Sequence, residues 1–80
     1  MSISPESVLH DLAISAWQYE HGEDTLYTDA EFDSISYDLT KQEFKDPVIR
    51  EFMKEHFHPS TGMWVYNYPY LDKVKEWTGI

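Results

Sequence analysis

Tyr27-Thr28-Asp29-Ala30-Glu31-Phe32-Asp33 carries the strongest local signal in the chain, and it reads as the start of a helix. Thr28 followed three residues later by Glu31 is a capping box. The threonine hydroxyl accepts an orphan N–H of the first turn, and the glutamate reaches back to the threonine amide. Tyr27 and Phe32 stand at the positions of a hydrophobic staple, just before the cap and at the fourth helical residue. Phe32, Ile35 and Leu39 then recur at helical spacing and predict a core-facing side that Phe44 closes.

The same kind of signal recurs on both sides of this segment. Upstream, Ser4 is an N-cap, Pro5 suits the first helical position and Glu6 suits the positive end of the helix dipole. Leu9, Leu12, Ala13, Ala16 and Trp17 follow as one apolar stripe, and Gly22 stops the helix. Downstream, Asp46-Pro47 ends one helix and caps the next, which presents Ile49, Phe52, Met53 and Phe57 before Pro59. Residues 62–68 alternate, with Trp64, Tyr66 and Tyr68 on one side and Met63 and Val65 on the other, so an extended segment is predicted there. A last helix over about 70–78 places Leu71, Val74 and Trp77 (or Thr78) on one side. Together these elements predict a mainly α chain. Residues 1–80 are expected to form a single compact three- to four-helix domain built on an N-terminal helical hairpin, with an aromatic extended segment near residues 62–68.

Composition narrows the function. A chain of 80 residues buries only roughly 60–65% of its unfolded surface, which leaves little room for a deep, dry catalytic site. There is no cysteine, so neither a disulfide framework nor a thiolate metal site is available, and the chain suits a reducing cytoplasm. No apolar run is long enough to span a membrane, and Met1-Ser2-Ile3-Ser4-Pro5-Glu6 lacks the basic-then-apolar pattern of a leader. The net charge is -9 and lies entirely on one half. Residues 1–40 hold nine acidic groups and no Lys or Arg, whereas residues 41–80 hold six of each sign. Phosphate contacts need clustered Lys and Arg, so direct nucleic-acid binding is disfavoured. A one-sided anionic surface suits a protein partner with a basic surface.

Tyr19-Glu20-His21-Gly22-Glu23-Asp24, then Thr28-Asp29-Ala30-Glu31-Phe32-Asp33, Leu39 and Asp46-Pro47, resemble the small N-terminal helical subdomain of NAD-dependent DNA ligases over about residues 10–47. That subdomain closes over the nicotinamide mononucleotide half of NAD. The resemblance implies that Tyr19, Asp29, Phe32 and Asp33 are nucleotide-contacting positions. Two positions depart from the family pattern: Glu20 stands where the family has His, and Phe32 where it has Tyr. No Lys-x-Asp-Gly nucleotidyltransferase motif is present, so ligase activity is not implied. A fainter resemblance joins His58-Pro59-Ser60, Tyr68-Pro69 and Val74-Lys75-Glu76-Trp77 to the nuclease-colicin immunity proteins. Those are small acidic inhibitors that set an aromatic segment against a basic nuclease.

Other chemistry has weak support. His56-x-His58 beside Glu55 points its two imidazoles apart on a helix and lacks a local third ligand, so no metal site is assigned. No nucleophile elbow or glycine-rich phosphate loop is present, and neither an enzymatic activity nor a bound cofactor is expected. The leading expectation is an inhibitor or modulator of the kind phages and mobile elements carry. It docks through Glu23, Asp24, Asp29, Asp33, Trp64 and Tyr66 on a basic surface, for example a nucleic-acid-binding groove. A nicotinamide-nucleotide-binding module is the alternative, and a homodimer pairing an apolar helix face is a third expectation.

Overall fold

The Ser4 hydroxyl accepts the Ser7 N–H at 3.2 Å, and the chain turns into α1 (Pro5–Glu20) from that cap. The computed structural model describes residues 4–80; Met1, Ser2 and Ile3, which belong to the stretch read above for a leader pattern, lie outside the described residues. The predicted stripe of α1 is buried in full, and Ile14 and Ser15 between its members are buried too, so the helix is surrounded from Leu12 to Trp17. Gly22 ends it with φ at 68°, where a side chain would be strained. The N–H groups of Gly22 and Glu23 return to the carbonyls of Tyr19 and Gln18, which is a Schellman closure.

α2 (Asp29–Leu39) begins with both halves of the capping box in place. Glu31 N–H donates to the Thr28 hydroxyl at 3.2 Å, and Thr28 N–H donates to the Glu31 carboxylate at 3.0 Å. Tyr27 and Phe32 are half-buried against the core, as a staple requires. α3 (Pro47–Glu55) is capped by Asp46, whose carboxylate accepts the Val48 N–H at 2.9 Å. α4 (Leu71–Thr78) packs on α1, which also contacts α2. Within α4, Val74 is buried and Leu71 and Thr78 are half-buried, while Trp77 points outward at 64% exposure. Thr78 therefore fills the place offered to either residue. Leu71, Val74 and Thr78 fall at i, i+3 and i+7, which leaves Trp77 off the packed stripe.

The extended segment predicted near residues 62–68 is corrected by the structure: Met63–Asn67 is a turn of 3-10 helix. A single strand has no neighbour to satisfy its amides, whereas the i→i+3 bonds of a 3-10 turn do so internally. Val65 N–H reaches the Gly62 carbonyl and Tyr68 N–H the Val65 carbonyl, each at 3.1 Å. A period near three also reassigns the faces. Val65 and Tyr68 turn inward with Trp64, and Met63 and Tyr66 share the outer side. Trp64 becomes the centre of an aromatic cluster, with ring centroids 5.1 Å from Phe57, 5.8 Å from Phe52 and 6.3 Å from Tyr68. These offset and edge-on geometries are the favourable ones for ring pairs.

A polar clamp joins the start of α1 to the start of α3. The Glu6 carboxylate accepts the backbone N–H groups of Lys45 and Asp46, and the Tyr70 hydroxyl donates to Asp46 at 2.6 Å. Partial burial pushes the Glu6 carboxyl up, but its amide donors outweigh that and hold it below its ordinary value. The Tyr70 hydroxyl, chief among its donors, lowers the Asp46 carboxyl. Both folded values lie below the unfolded ones. Their stabilisation is therefore present above the ordinary carboxylate pKa of about 4 and lost as pH falls through the folded values. The thermal midpoint is expected to drop as pH is taken from about 5 to below 4, and Glu6→Gln should flatten that drop. An acid limb identical in wild type and Glu6→Gln tells against the clamp.

Candidate functional site

Where α1 ends and α2 begins, the connecting loop is fastened to α1 by three kinds of contact. The Leu26 N–H donates to the Gln18 side chain at 2.9 Å, and the Tyr27 N–H donates to the buried Ser15 hydroxyl at 3.2 Å. His21 donates its Nδ1–H to the Trp17 carbonyl at 2.8 Å, the tautomer that a carbonyl partner requires. Within the loop, the Thr25 hydroxyl donates to the Tyr27 carbonyl at 2.6 Å. An open cleft of about 390 Å³ lies between α1 and α2 at their joined ends.

Tyr19, Asp29, Phe32 and Asp33 all line this cleft. Asp29 and Asp33 share one face of α2, four residues apart, the separation that brings side chains on a helix into neighbourhood. Glu20 adds a third carboxylate, and the wall opposite the helices is Ser60-Thr61-Gly62-Met63. Among the described residues, no Lys, Arg or His lines it. Tyr19 is 66% and Met63 57% exposed, so the mouth presents a ring and a thioether to solvent. On the inner side, burial, with Asp11 and Glu31 nearby, raises the Tyr27 phenol above its ordinary pKa. Tyr66 borders the cleft: its hydroxyl donates to Glu20 at 3.2 Å, and its ring meets Trp17 edge-on with centroids 5.8 Å apart.

The six residues expected to dock a partner divide. Glu23 and Asp24 are exposed in the loop, Asp29 and Asp33 are exposed on the cleft wall, and Tyr66 is half exposed beside Glu20. Trp64 is corrected from docking residue to core residue. At 2% exposure it lies inside the cluster of Phe52, Phe57 and Tyr68, because the 3-10 turn separates it from Tyr66. Its indole N–H is buried without a hydrogen-bond partner among the described residues. Sequence reasoning missed Gly62 and Met63, which reach the cleft through packing at long range. A Cβ built on Gly62 would stand 3.3 Å from the Ala16 Cβ and 3.5 Å from the Phe32 ring, so glycine permits the close approach of this wall to α1.

His56 and His58 are both exposed, and His56 Nε2 lies 4.0 Å from the Glu55 carboxylate. Among the described residues, no group of three His, Cys, Asp or Glu side chains gathers as a metal site, and no helix is long and apolar enough to cross a membrane. Comparison with protein-family models, characterised proteins and solved structures found no match.

Gly62→Ala tests the packing of this wall. The added methyl would meet the Ala16 Cβ at 3.3 Å, so the loop must yield by a few tenths of an ångström beside the Phe32 ring. The expected result is a loss of about 1 kcal/mol in denaturant unfolding, with amide shifts at Phe32. Unchanged stability and an unmoved Phe32 would contradict the close approach.

Proposed function

We propose that this chain is a non-catalytic protein-interaction module whose acidic first half docks on a basic surface of a partner protein. One observation carries the reading: exposed Tyr19, Met63 and Tyr66 adjoin Glu20, Asp29 and Asp33, and among the described residues no cationic side chain lines the cleft between them. Aromatic and thioether groups supply contact area at interface centres, and surrounding charge of one sign steers association and selects the partner's sign. Tyr19 and Met63 take the place that sequence alone gives to Trp64. In this reading the module acts in the reducing cytoplasm as an inhibitor or modulator, of the kind that phages and mobile elements encode. Covering a nucleic-acid-binding groove is the mode that its charge suits best, since such grooves are basic.

The test uses immobilised wild type beside a variant carrying Glu23→Gln, Asp24→Asn, Asp29→Asn and Asp33→Asn. Proteins of high isoelectric point should be retained by the wild type, released by salt and lost from the variant. Their association with wild type should slow at least roughly tenfold between low and physiological salt. Equal retention on both columns, or an association rate indifferent to salt, rejects the proposal.

A second reading has an observation of its own. The four positions implied by the ligase resemblance line a single cleft, and three carboxylates suit the cationic pyridinium of nicotinamide mononucleotide. The phosphate of that ligand has no cation to meet there, which ranks this reading second. Titration of the labelled protein with nicotinamide mononucleotide should shift the amides of Tyr19, Asp29, Phe32 and Asp33 saturably. Silence at millimolar ligand removes it.

A further inference from the structure

We infer that the cleft between α1, α2 and residues 60–63 receives an arginine side chain of the basic partner, an inference that rests on the docking reading above. The cavity itself is the starting point. Its volume of about 390 Å³ lies within the range of sites that hold a ligand group, and it opens at the surface instead of being sealed in the core. Its walls include the rings of Tyr19, Tyr27 and Phe32 and the thioether of Met63. Aromatic faces attract cations through their quadrupoles, and a planar guanidinium can stack on them.

Charge then names the occupant. Glu20, Asp29 and Asp33 are carboxylates with no cation among the other lining residues, and no salt bridge within 4.0 Å engages any of them among the described residues. An anionic group entering here would face uncompensated negative charge, and a cation gains from it what a neutral group does not. Asp29 and Asp33, one turn apart, offer two acceptors along a line that the forked donors of a guanidinium can span. Lysine is the poorer fit. Its ammonium is a compact, strongly hydrated point charge that gains less from ring faces and cannot bridge two carboxylates in a plane. The carboxylates on the cleft wall therefore attract the partner, and the rings select which cation enters.

The test compares hexa-arginine and hexa-lysine peptides binding to the intact labelled protein at low salt, followed by amide NMR. Hexa-arginine should bind at least threefold more tightly and shift Tyr19, Asp33 and Met63. Tyr19→Ala, at an exposed position that leaves net charge unchanged, should weaken hexa-arginine about three- to fivefold and remove the preference over hexa-lysine. Glu23→Gln with Asp24→Asn, outside the cleft, should weaken both peptides alike. If the two peptides bind equally and Tyr19→Ala changes neither, the arginine inference is overturned while acidic docking stands. If neither peptide binds to the wild type at low salt, the docking reading fails and this inference fails with it.

Discussion

Burial of α1 on every side between Leu12 and Trp17 constrains the rest of the molecule. From Leu12 to Trp17 six consecutive residues are buried, and three of them, Ala13, Ser15 and Ala16, are small. Small side chains let other elements come close to the helix backbone. Glycine at position 62 accordingly lies close against Ala16, where a Cβ would stand 3.3 Å from the Ala16 Cβ, and α2, α4 and the 3-10 turn all pack on α1. The one polar member, Ser15, is satisfied by the Tyr27 N–H, so its hydroxyl anchors the loop that leads into α2. An apolar residue at that point would leave the Tyr27 amide without this partner. The cleft exists because these close approaches stop at the end of α1, where Tyr19 and Glu20 turn away from the core.

The helix starts were legible because their causes are local. Thr28 with Glu31, Asp46 with Pro47 and Ser4 with Pro5 each act within one turn, so a few residues determine them. The aromatic segment was not legible, because five residues of alternating character fit a period of two or of three equally well. What distinguishes the two is whether another strand lies alongside, which no short window contains. That one ambiguity moved Trp64 into the core and left Tyr66 outside. The meeting of Tyr19 with Asp29 and Asp33 follows from a helical hairpin and was readable in advance. The arrival of Gly62 and Met63 opposite them depends on how α3 and its following turn fold back, which no motif records.

Two kinds of polar organisation divide the chain. At the α1–α3 end, Glu6, Asp46 and Tyr70 are bonded to one another or to amides, and their acidity serves the fold. At the α1–α2 end, the side chains of Glu23, Asp24, Asp29 and Asp33 make no hydrogen bond within the described residues, although Asp29 also favours the dipole at the start of α2. The acidic excess is therefore held mainly by groups that folding does not consume. Surface repulsion among them costs stability, and the buried rings of Phe52, Phe57, Trp64 and Tyr68 offset it with large apolar areas for so small a chain.

The Schellman closure at Gly22 and the Gln18 and Ser15 anchors have a thermodynamic consequence. Fixing a residue's backbone costs on the order of 1–2 kcal/mol in conformational entropy, and a floppy binding loop incurs that cost each time it engages a partner. Between residues 21 and 28 the cost has been met during folding, by bonds that run back into the most buried helix. A loop ordered in advance presents its charges at constant spacing and gives up little freedom on contact. Such a surface associates with a small entropic penalty, so that its selectivity rests on shape and charge and its partner needs to do little of the ordering.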